Sequence, residues 1–167
     1  MPAEIPKCYT PPLPALRRGN WGNSEGGVAL VLDSLQKAVS ALAAVLAKSD
    51  DVEFMNNLDD VARNAIKAGV VQHFEFTYEL CWKFIKRWLE TNISAGVADG
   101  VTRRELFRLA AENRLLDDVD QWMRYHEARN LTSHIYQPEI AERVYNTAHE
   151  FARDAERLLA ALEARND

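Results

Sequence analysis

The sequence has 167 residues, with 20 lysines and arginines against 25 aspartates and glutamates, so its formal net charge is −5. Hydrophobic residues make up 47% and charged residues 27%, proportions typical of one globular domain with a single core. This composition excludes collagen-like and wholly disordered chains, and the longest apolar run, 41–47, is far too short to cross a bilayer. The negative net charge argues against a protein that coats nucleic acid nonspecifically, because such binding requires a strong positive field.

Residues 1 to about 23 are rich in proline and glycine, which do not sustain helices or strands. This predicts an irregular N-terminal arm at 1–23, ahead of one helical domain at 24–167. The arm lacks the apolar centre of a secretory signal, and the only two cysteines, Cys8 and Cys81, do not indicate a disulfide framework. We therefore expect a cytoplasmic protein that makes no contact with a membrane.

The rest of the chain has helical periodicity. Apolar residues at three- and four-residue spacing predict a first helix from about Ser24 to Lys48. A long second helix is predicted from about Asn57 to Thr91, where Gly69 could interrupt the regular structure.

The later half of the second helix carries two different surfaces. Its apolar side is wider than one helix face, which indicates burial on more than one side or an oligomer interface. Its polar stripe includes Glu75, Glu79 and Lys83. The simplest interpretation of the two glutamates, which lie one turn apart, is a solvated face. The alternative is a salt bridge to Arg129 or a contact with a partner.

Three further helices complete the pattern. Thr102 and Glu105 form a capping box for a short third helix, Asp117 or Asp118 can cap a fourth, and Pro138 suits the first turn of the last. The alternation typical of strands does not stand out anywhere. We therefore expect an all-α fold, an antiparallel four-helix up-and-down bundle with an additional short helix.

The junction before the last helix concentrates polar side chains. Residues 129–136, Arg-Asn-Leu-Thr-Ser-His-Ile-Tyr, combine a guanidinium, an amide, two hydroxyls, an imidazole and a phenol. Arg129 can hold a phosphate and oppose the charge that develops in a phosphoryl-transfer transition state. His134 can take a proton from a ribose 2′-hydroxyl or give one to the leaving oxygen, and Asn130 can orient either group. From spacing alone, a purely structural polar turn remains the alternative.

Other chemical motifs are absent from the sequence. Residues 96–100 lack the Lys-Ser/Thr pair that would follow a phosphate-binding glycine loop. Residues 126–130 begin like a zinc-protease helix but lack its second histidine. We therefore expect no metal site and no cofactor.

Two segments resemble the HEPN superfamily, small all-α proteins that are paired with minimal nucleotidyltransferases. Residues 129–136 resemble its R-x4-H-x-Y signature. Residues 71–83, Val-Gln-His-Phe-Glu-Phe-Thr-Tyr-Glu-Leu-Cys-Trp-Lys, resemble the I-Q-R-F-E-[FY]-T-[FY]-E-L-x-W-K segment of the branch called nucleotidyltransferase substrate-binding proteins. His73 stands where that segment has arginine. The candidates in this segment for contacts with a nucleotide or a partner are Glu75, Glu79 and Lys83.

The resemblance covers about 28–162 and implies a helical bundle that forms a homodimer and assembles with a nucleotidyltransferase encoded beside it. In catalytic members, the motif residues of two protomers line one cleft and cleave RNA without metal. Carried over, Arg129 and His134 would be the catalytic pair and Asn130 a supporting residue. In related toxin–antitoxin pairs the tyrosine, here Tyr136, accepts AMP from the partner enzyme, which silences the ribonuclease. The resemblance favours such a toxin subunit and leaves open a non-enzymatic subunit that supplies a substrate-binding groove to the transferase.

Overall fold

The protein, in a computed structural model that describes residues 29–166, is a bundle of helices. This part of the chain contains six α-helices and one 3-10 turn, and no strand. The helices are α1 (Asp33–Asp50), α2 (Val52–Asn56), α3 (Asp60–Asn92), α4 (Arg103–Glu112), α5 (Val119–Leu131) and α6 (Pro138–Glu163), and the 3-10 turn is Thr132–His134. The predicted N-terminal arm, 1–23, and Cys8 lie outside the described residues.

The four long helices α1, α3, α5 and α6 alternate in direction. Thr77 of α3 donates a hydrogen bond to the Ala38 carbonyl of α1, whereas Gly69 of α3 faces Val45 of α1, so the two helices run antiparallel. Contacts of α1 with α6 and of α3 with α5 show the same reversal, whereas α3 and α6, which the alternation leaves parallel, meet at Lys67–Glu142 and again at Trp88–Arg165. The predicted antiparallel four-helix bundle is therefore confirmed. The short helix α4 was expected, whereas the five-residue α2 was not.

Side-chain caps define where several helices begin. The side-chain oxygens of Asp59, Thr102 and Asp118 each accept the backbone N–H three residues ahead, at 2.7, 3.2 and 2.9 Å. Of the two predicted caps for α5, the structure uses Asp118 and not Asp117. Pro138 lies in the first turn of α6, as the sequence predicts.

The first helix begins later than its periodicity suggests. Residues 29–32 are not helical, and α1 begins at Asp33. The backbone N–H of Leu30 donates to Asn166 Oδ1 at 2.6 Å, and its carbonyl accepts from Asn166 Nδ2 at 2.8 Å. These bonds join the start of α1 to the end of α6 and take the place of a first helical turn. Residues 24–28 lie outside the described part.

Gly69 does not interrupt α3, contrary to the sequence expectation. The helix runs unbroken from Asp60 to Asn92. A Cβ atom at Gly69 would lie 3.7 Å from Val45 Cγ2, in ordinary van der Waals contact. The glycine therefore lies where α1 packs against α3, and neighbouring helices outweigh its low helix propensity.

The core centres on Phe151 of α6. Its ring centroid lies 5.1 Å from that of Phe74, 5.2 Å from Tyr125 and 5.9 Å from Trp122. Because α1, α4, α5 and α6 all contact α3, the wide apolar side of α3 is buried on more than one side, as predicted. Cys81 of α3 is fully buried, and burial raises the pKa of its thiol.

None of the helices between residues 29 and 166 combines the length and the apolar character that crossing a membrane would require.

Candidate functional site

The segment 129–136 contains the last residues of α5 and most of the tight turn, 132–137, that connects α5 to α6. Thr132 Oγ1 donates to the Arg129 carbonyl at 2.7 Å, and Ser133 Oγ donates to the Asn130 carbonyl at 3.2 Å. These two hydroxyls satisfy carbonyls at the end of α5, where the helical hydrogen bonds run out. The polar junction identified in the sequence therefore contains a turn that hydrogen bonds hold in place.

Arg129 is held by two carboxylates of α3. Its Nε donates to Glu79 Oε1 at 2.7 Å, and its Nη2 lies 3.3 Å from Glu75 Oε1. The other oxygen of Glu79, Oε2, accepts from Trp82 Nε1 at 2.9 Å. The simplest interpretation of the glutamates, a solvated face, is therefore wrong, and the alternative of a salt bridge to Arg129 is correct. The reason is that α5 packs across α3 at this turn.

The guanidinium of Arg129 keeps donors that these carboxylates do not use. A guanidinium carries five N–H donors, and the ion pairs engage its Nε and Nη2. Its Nη1 makes no hydrogen bond or ion pair with any residue between 29 and 166. The side chain is 33% exposed, so an anion can approach a cation that the protein has already oriented.

Asn130 is joined to a buried tyrosine through a histidine. His126 Nδ1 lies 2.9 Å from the hydroxyl of Tyr78, and His126 Nε2 lies 3.4 Å from Asn130 Nδ2. Burial lowers the pKa of His126, and the positive charges of Arg103 and Arg129 lower it further. Burial also raises the pKa of Tyr78. Both groups are therefore held in their neutral forms.

His126 and Tyr78 were not predicted as members of the site. The sequence gives no sign of this pair, because Tyr78 lies 48 residues from His126. The available signal was that His126 precedes Asn130 by one helical turn, which places both side chains on one face of α5.

His134 and Tyr136 lie on the outer side of the turn, where both are exposed. Their ring centroids are 6.2 Å apart in an edge-to-face arrangement. Tyr136 is 75% exposed, and its hydroxyl accepts a hydrogen bond from Gln137 Nε2 at 3.2 Å. Within residues 29–166 no hydrogen bond joins Arg129 to His134. The predicted residues thus form two neighbouring groups, one anchored on α3 and one facing solvent.

Lys83, the third candidate from the matched segment, is exposed. Its Nζ lies 5.7 Å from the centroid of the Trp82 ring, and it does not join the carboxylates that hold Arg129. Across residues 29–166, no group of three or more His, Cys, Asp and Glu side chains is arranged to hold a metal ion.

Comparison with known proteins places the chain in a family. Residues 30–164 match the sequence profile of the family described as nucleotidyltransferase substrate binding protein like. The chain belongs to this family. The match spans α1 to α6, so the nucleotidyltransferase substrate binding family includes both segments that resembled it, 71–83 and 129–136.

Comparisons with Haemophilus influenzae proteins support this family assignment. The chain is 30% identical over 138 residues to a protein named probable ribonuclease HepT, in an alignment that covers 82% of this chain and 94% of that protein. A solved structure, described as the fold of a substrate binding domain of a nucleotidyltransferase, matches with a TM-score of 0.77 and 29% identity and covers 80% of this chain and 99% of that chain.

A crystal structure from Thermus thermophilus shares the fold. It matches with a TM-score of 0.58 and 24% identity, covering 75% of this chain and 98% of that chain. The resemblance stated from the sequence, to the nucleotidyltransferase substrate-binding branch, is thus confirmed by the family match.

Proposed function

We propose that this protein is the toxin subunit of a toxin–antitoxin pair, a metal-independent endoribonuclease that is controlled by a cognate minimal nucleotidyltransferase. One observation carries the proposal. Arg129, which two glutamates orient and which keeps unused donors, is followed five residues later by the exposed imidazole of His134, in the turn after α5. The H. influenzae relative named probable ribonuclease HepT supports it. The proposed domain that carries this activity is 24–167, with 1–23 as an added arm.

The proposed chemistry needs a cation and a proton carrier. Arg129 Nη1 binds a non-bridging oxygen of the scissile phosphate, and Asn130 supports that contact. His134 takes the proton of the ribose 2′-hydroxyl, and the 2′-oxygen attacks phosphorus. The bond from phosphorus to the 5′-oxygen breaks, and the leaving oxygen receives a proton. The products are a 2′,3′-cyclic phosphate and a 5′-hydroxyl end.

The step requires one group to remove a proton and another to supply one, and each protomer offers one such histidine, His134. We therefore propose a homodimer in which the motifs of two protomers line one cleft. Exposed apolar residues support an interface here. Phe76, next to Glu75, is 57% exposed, and Ile135, next to His134, is 39% exposed.

Tyr136 is proposed as the acceptor of AMP from the partner enzyme. Its ring is 75% exposed, so a second protein can reach the phenol. The ring lies 6.2 Å from that of His134, so an attached phosphate would enter the cleft and occupy the place of the RNA phosphate. Modification of Tyr136 would thus switch the ribonuclease off.

A second candidate function is a non-enzymatic subunit that binds substrate for a two-component nucleotidyltransferase. The ion pairs of Arg129 with Glu75 and Glu79 favour it, because they already compensate the charge of the guanidinium. On this proposal, Glu75, Glu79 and the exposed Lys83 would contact the nucleotide or the transferase. The H. influenzae structure described as a substrate binding domain of a nucleotidyltransferase supports it.

Expression of the protein alone, without the transferase, distinguishes the toxin from the non-enzymatic binding subunit. For the toxin we expect slowed growth and degraded RNA, both abolished by Arg129→Ala and by His134→Ala while circular dichroism remains that of the folded bundle. His149→Gln is the matched control, because His149 pairs with Asp50 at the C-terminal end of α1 and lies outside the motif 129–136. Normal growth and intact RNA with the wild type would contradict the toxin and leave the binding subunit.

A further inference from the structure

A cavity between α3, α4 and α5 lies next to the motif but is not lined by it. Its volume is about 290 Å³, and its walls include Trp82, Lys86, Arg103 and His126. Neither Arg129 nor His134 reaches it. No sequence motif singles out Arg103, which opens α4.

Arg103 is a half-buried cation without a counter-ion among residues 29–166. Its guanidinium carbon lies 3.8 Å from the centroid of the Trp82 ring, so the side chain stacks on the indole. Its Nε is buried and has no hydrogen-bond partner in the same part of the chain. By contrast, Arg104 pairs with Asp120 at 2.7 Å and Arg129 with Glu79 at 2.7 Å. The neighbouring arginines are compensated, and Arg103 is not.

The charge of Arg103 therefore dominates the cavity. The other cation in its wall, Lys86, is neutralised by Asp99 at 3.1 Å and by Glu90 at 3.4 Å. After burial, the charge of Arg103 is the largest cause that lowers the pKa of His126, another residue of the cavity wall. The imidazole is therefore kept neutral, and since its two nitrogens already face Tyr78 and Asn130, it adds no second cation to the cavity.

We propose that this cavity binds the phosphate group of a phosphate monoester through the Arg103 guanidinium. A half-buried cation without a partner is unfavourable, and an oxyanion relieves that cost. The planar fork of arginine matches two phosphate oxygens, and its stacking on Trp82 orients the fork before the ligand arrives. The volume holds a phosphate with a small ester group, either a mononucleotide or the terminal nucleotide of an RNA.

The inference does not depend on ribonuclease activity, although a chain of side-chain contacts joins the two sites. Trp82 forms the floor beneath Arg103 and donates its Nε1–H to Glu79, which holds Arg129. Two side chains, Trp82 and Glu79, therefore separate Arg103 from the proposed catalytic arginine. The two sites can be tested separately because they use different arginines.

To test this, the full-length protein is titrated with inorganic phosphate, AMP, adenosine and acetate. Calorimetry and tryptophan fluorescence measure the binding of each. We expect saturable binding of phosphate and AMP, and little binding of adenosine or acetate. Arg103→Gln should weaken AMP binding by about tenfold or more, since a lost charged hydrogen bond has that magnitude. Arg103→Lys keeps the charge but lacks the fork, so we expect an intermediate loss.

Two variants control the assignment. Arg104→Gln alters the adjacent arginine, which pairs with Asp120, and Arg108→Gln alters an arginine that pairs with Glu105 at 3.6 Å; both should leave binding unchanged. Undiminished binding by both Arg103 variants, an equal loss of binding in Arg104→Gln, or no saturable signal at about 10 mM phosphate would overturn the proposal. Oligoribonucleotides with and without a 5′-phosphate distinguish the two sources of the phosphate group, an RNA end and a free nucleotide. Tighter binding of the phosphorylated oligonucleotide than of AMP assigns the cavity to an RNA end, and the reverse assigns it to a free nucleotide.

Discussion

Arg129 owes its orientation to α3 rather than to its own helix. Glu79 accepts a hydrogen bond from its Nε, and Glu75 forms an ion pair with its Nη2. Trp82 donates a hydrogen bond to the second oxygen of Glu79. Ion pairs that water reaches contribute only about 0–1 kcal/mol, so this network stabilises the bundle little. Its main effect is to hold the guanidinium in one position before an anion binds.

His126 gives the folded protein a specific pH response. Its pKa is lower in the folded protein than in the unfolded chain, because burial and the charges of Arg103 and Arg129 disfavour the imidazolium. The unfolded chain therefore binds more protons, and stability falls as the pH drops below about 6.5. Between about pH 7 and pH 5, we expect the wild type to lose more free energy of unfolding than His126→Gln does.

Urea unfolding of both proteins at several pH values measures this difference. Other titrating groups are common to the two proteins, so they cancel in the comparison. The variant also loses the hydrogen bond to Tyr78, which shifts its stability by a nearly constant amount. A difference between the two proteins that stays constant over the whole range, or that grows in the opposite direction, would contradict this assignment.

Tyr136 should be the modified residue if the transferase regulates this protein. Co-expression with the neighbouring transferase should add the mass of one or more AMP groups to the wild type, because the phenol is exposed. The addition should disappear in Tyr136→Phe and persist in Tyr145→Phe, whose ring is buried. Intact-mass measurement reads the result. An unmodified wild type, or a modification mapped to another residue, removes Tyr136 from the mechanism.

The start of α5 matters because this helix carries the motif. Asp118 caps it by accepting the Gln121 N–H at 2.9 Å, whereas Asp117 does not cap the helix. We expect Asp118→Ala to lower the free energy of unfolding by about 1 kcal/mol and Asp117→Ala to leave it nearly unchanged. Denaturant unfolding monitored by circular dichroism measures both. Equal losses in the two variants would show that the cap is not the cause.

The long helices could be predicted because their signals are local. Periodicity located α3 and α6, and the caps Thr102 and Asp118 located the starts of α4 and α5. The start of α1 could not be predicted, because the residue that sets it, Asn166, lies 136 positions from Leu30. The short α2 has too few residues for a periodic pattern.

The sequence predicted the part of the site that is contiguous along the chain, and it missed most of the contacts between distant residues. Residues 129–136 are contiguous, so their combination of polar side chains can be recognised from the sequence alone. The contact of Arg129 with Glu79 spans 50 residues and that of His126 with Tyr78 spans 48. Such contacts depend on how α5 is rotated against α3, which side-chain packing decides and periodicity alone does not.

The whole molecule is expected to be a homodimer that closes the cleft. Phe76 is 57% exposed beside the carboxylates that hold Arg129, and a surface aromatic at that place suits an interface. We expect sedimentation to show a dimer at micromolar concentration, and Phe76→Glu to shift it toward monomer. Val52→Glu is the control, because Val52 is 70% exposed and belongs to α2, which carries none of the proposed site residues. A wild-type monomer under these conditions would contradict the dimer.

The most direct test of the central claim is RNA cleavage by the purified protein in EDTA, with chemical analysis of the product ends. We expect the wild type to produce fragments with 2′,3′-cyclic phosphate and 5′-hydroxyl ends, and Arg129→Ala and His134→Ala to produce none. His149→Gln should cleave like the wild type. Cleavage that survives both motif substitutions, or intact RNA with the folded wild-type protein, would contradict the assignment of Arg129 and His134 as the catalytic pair.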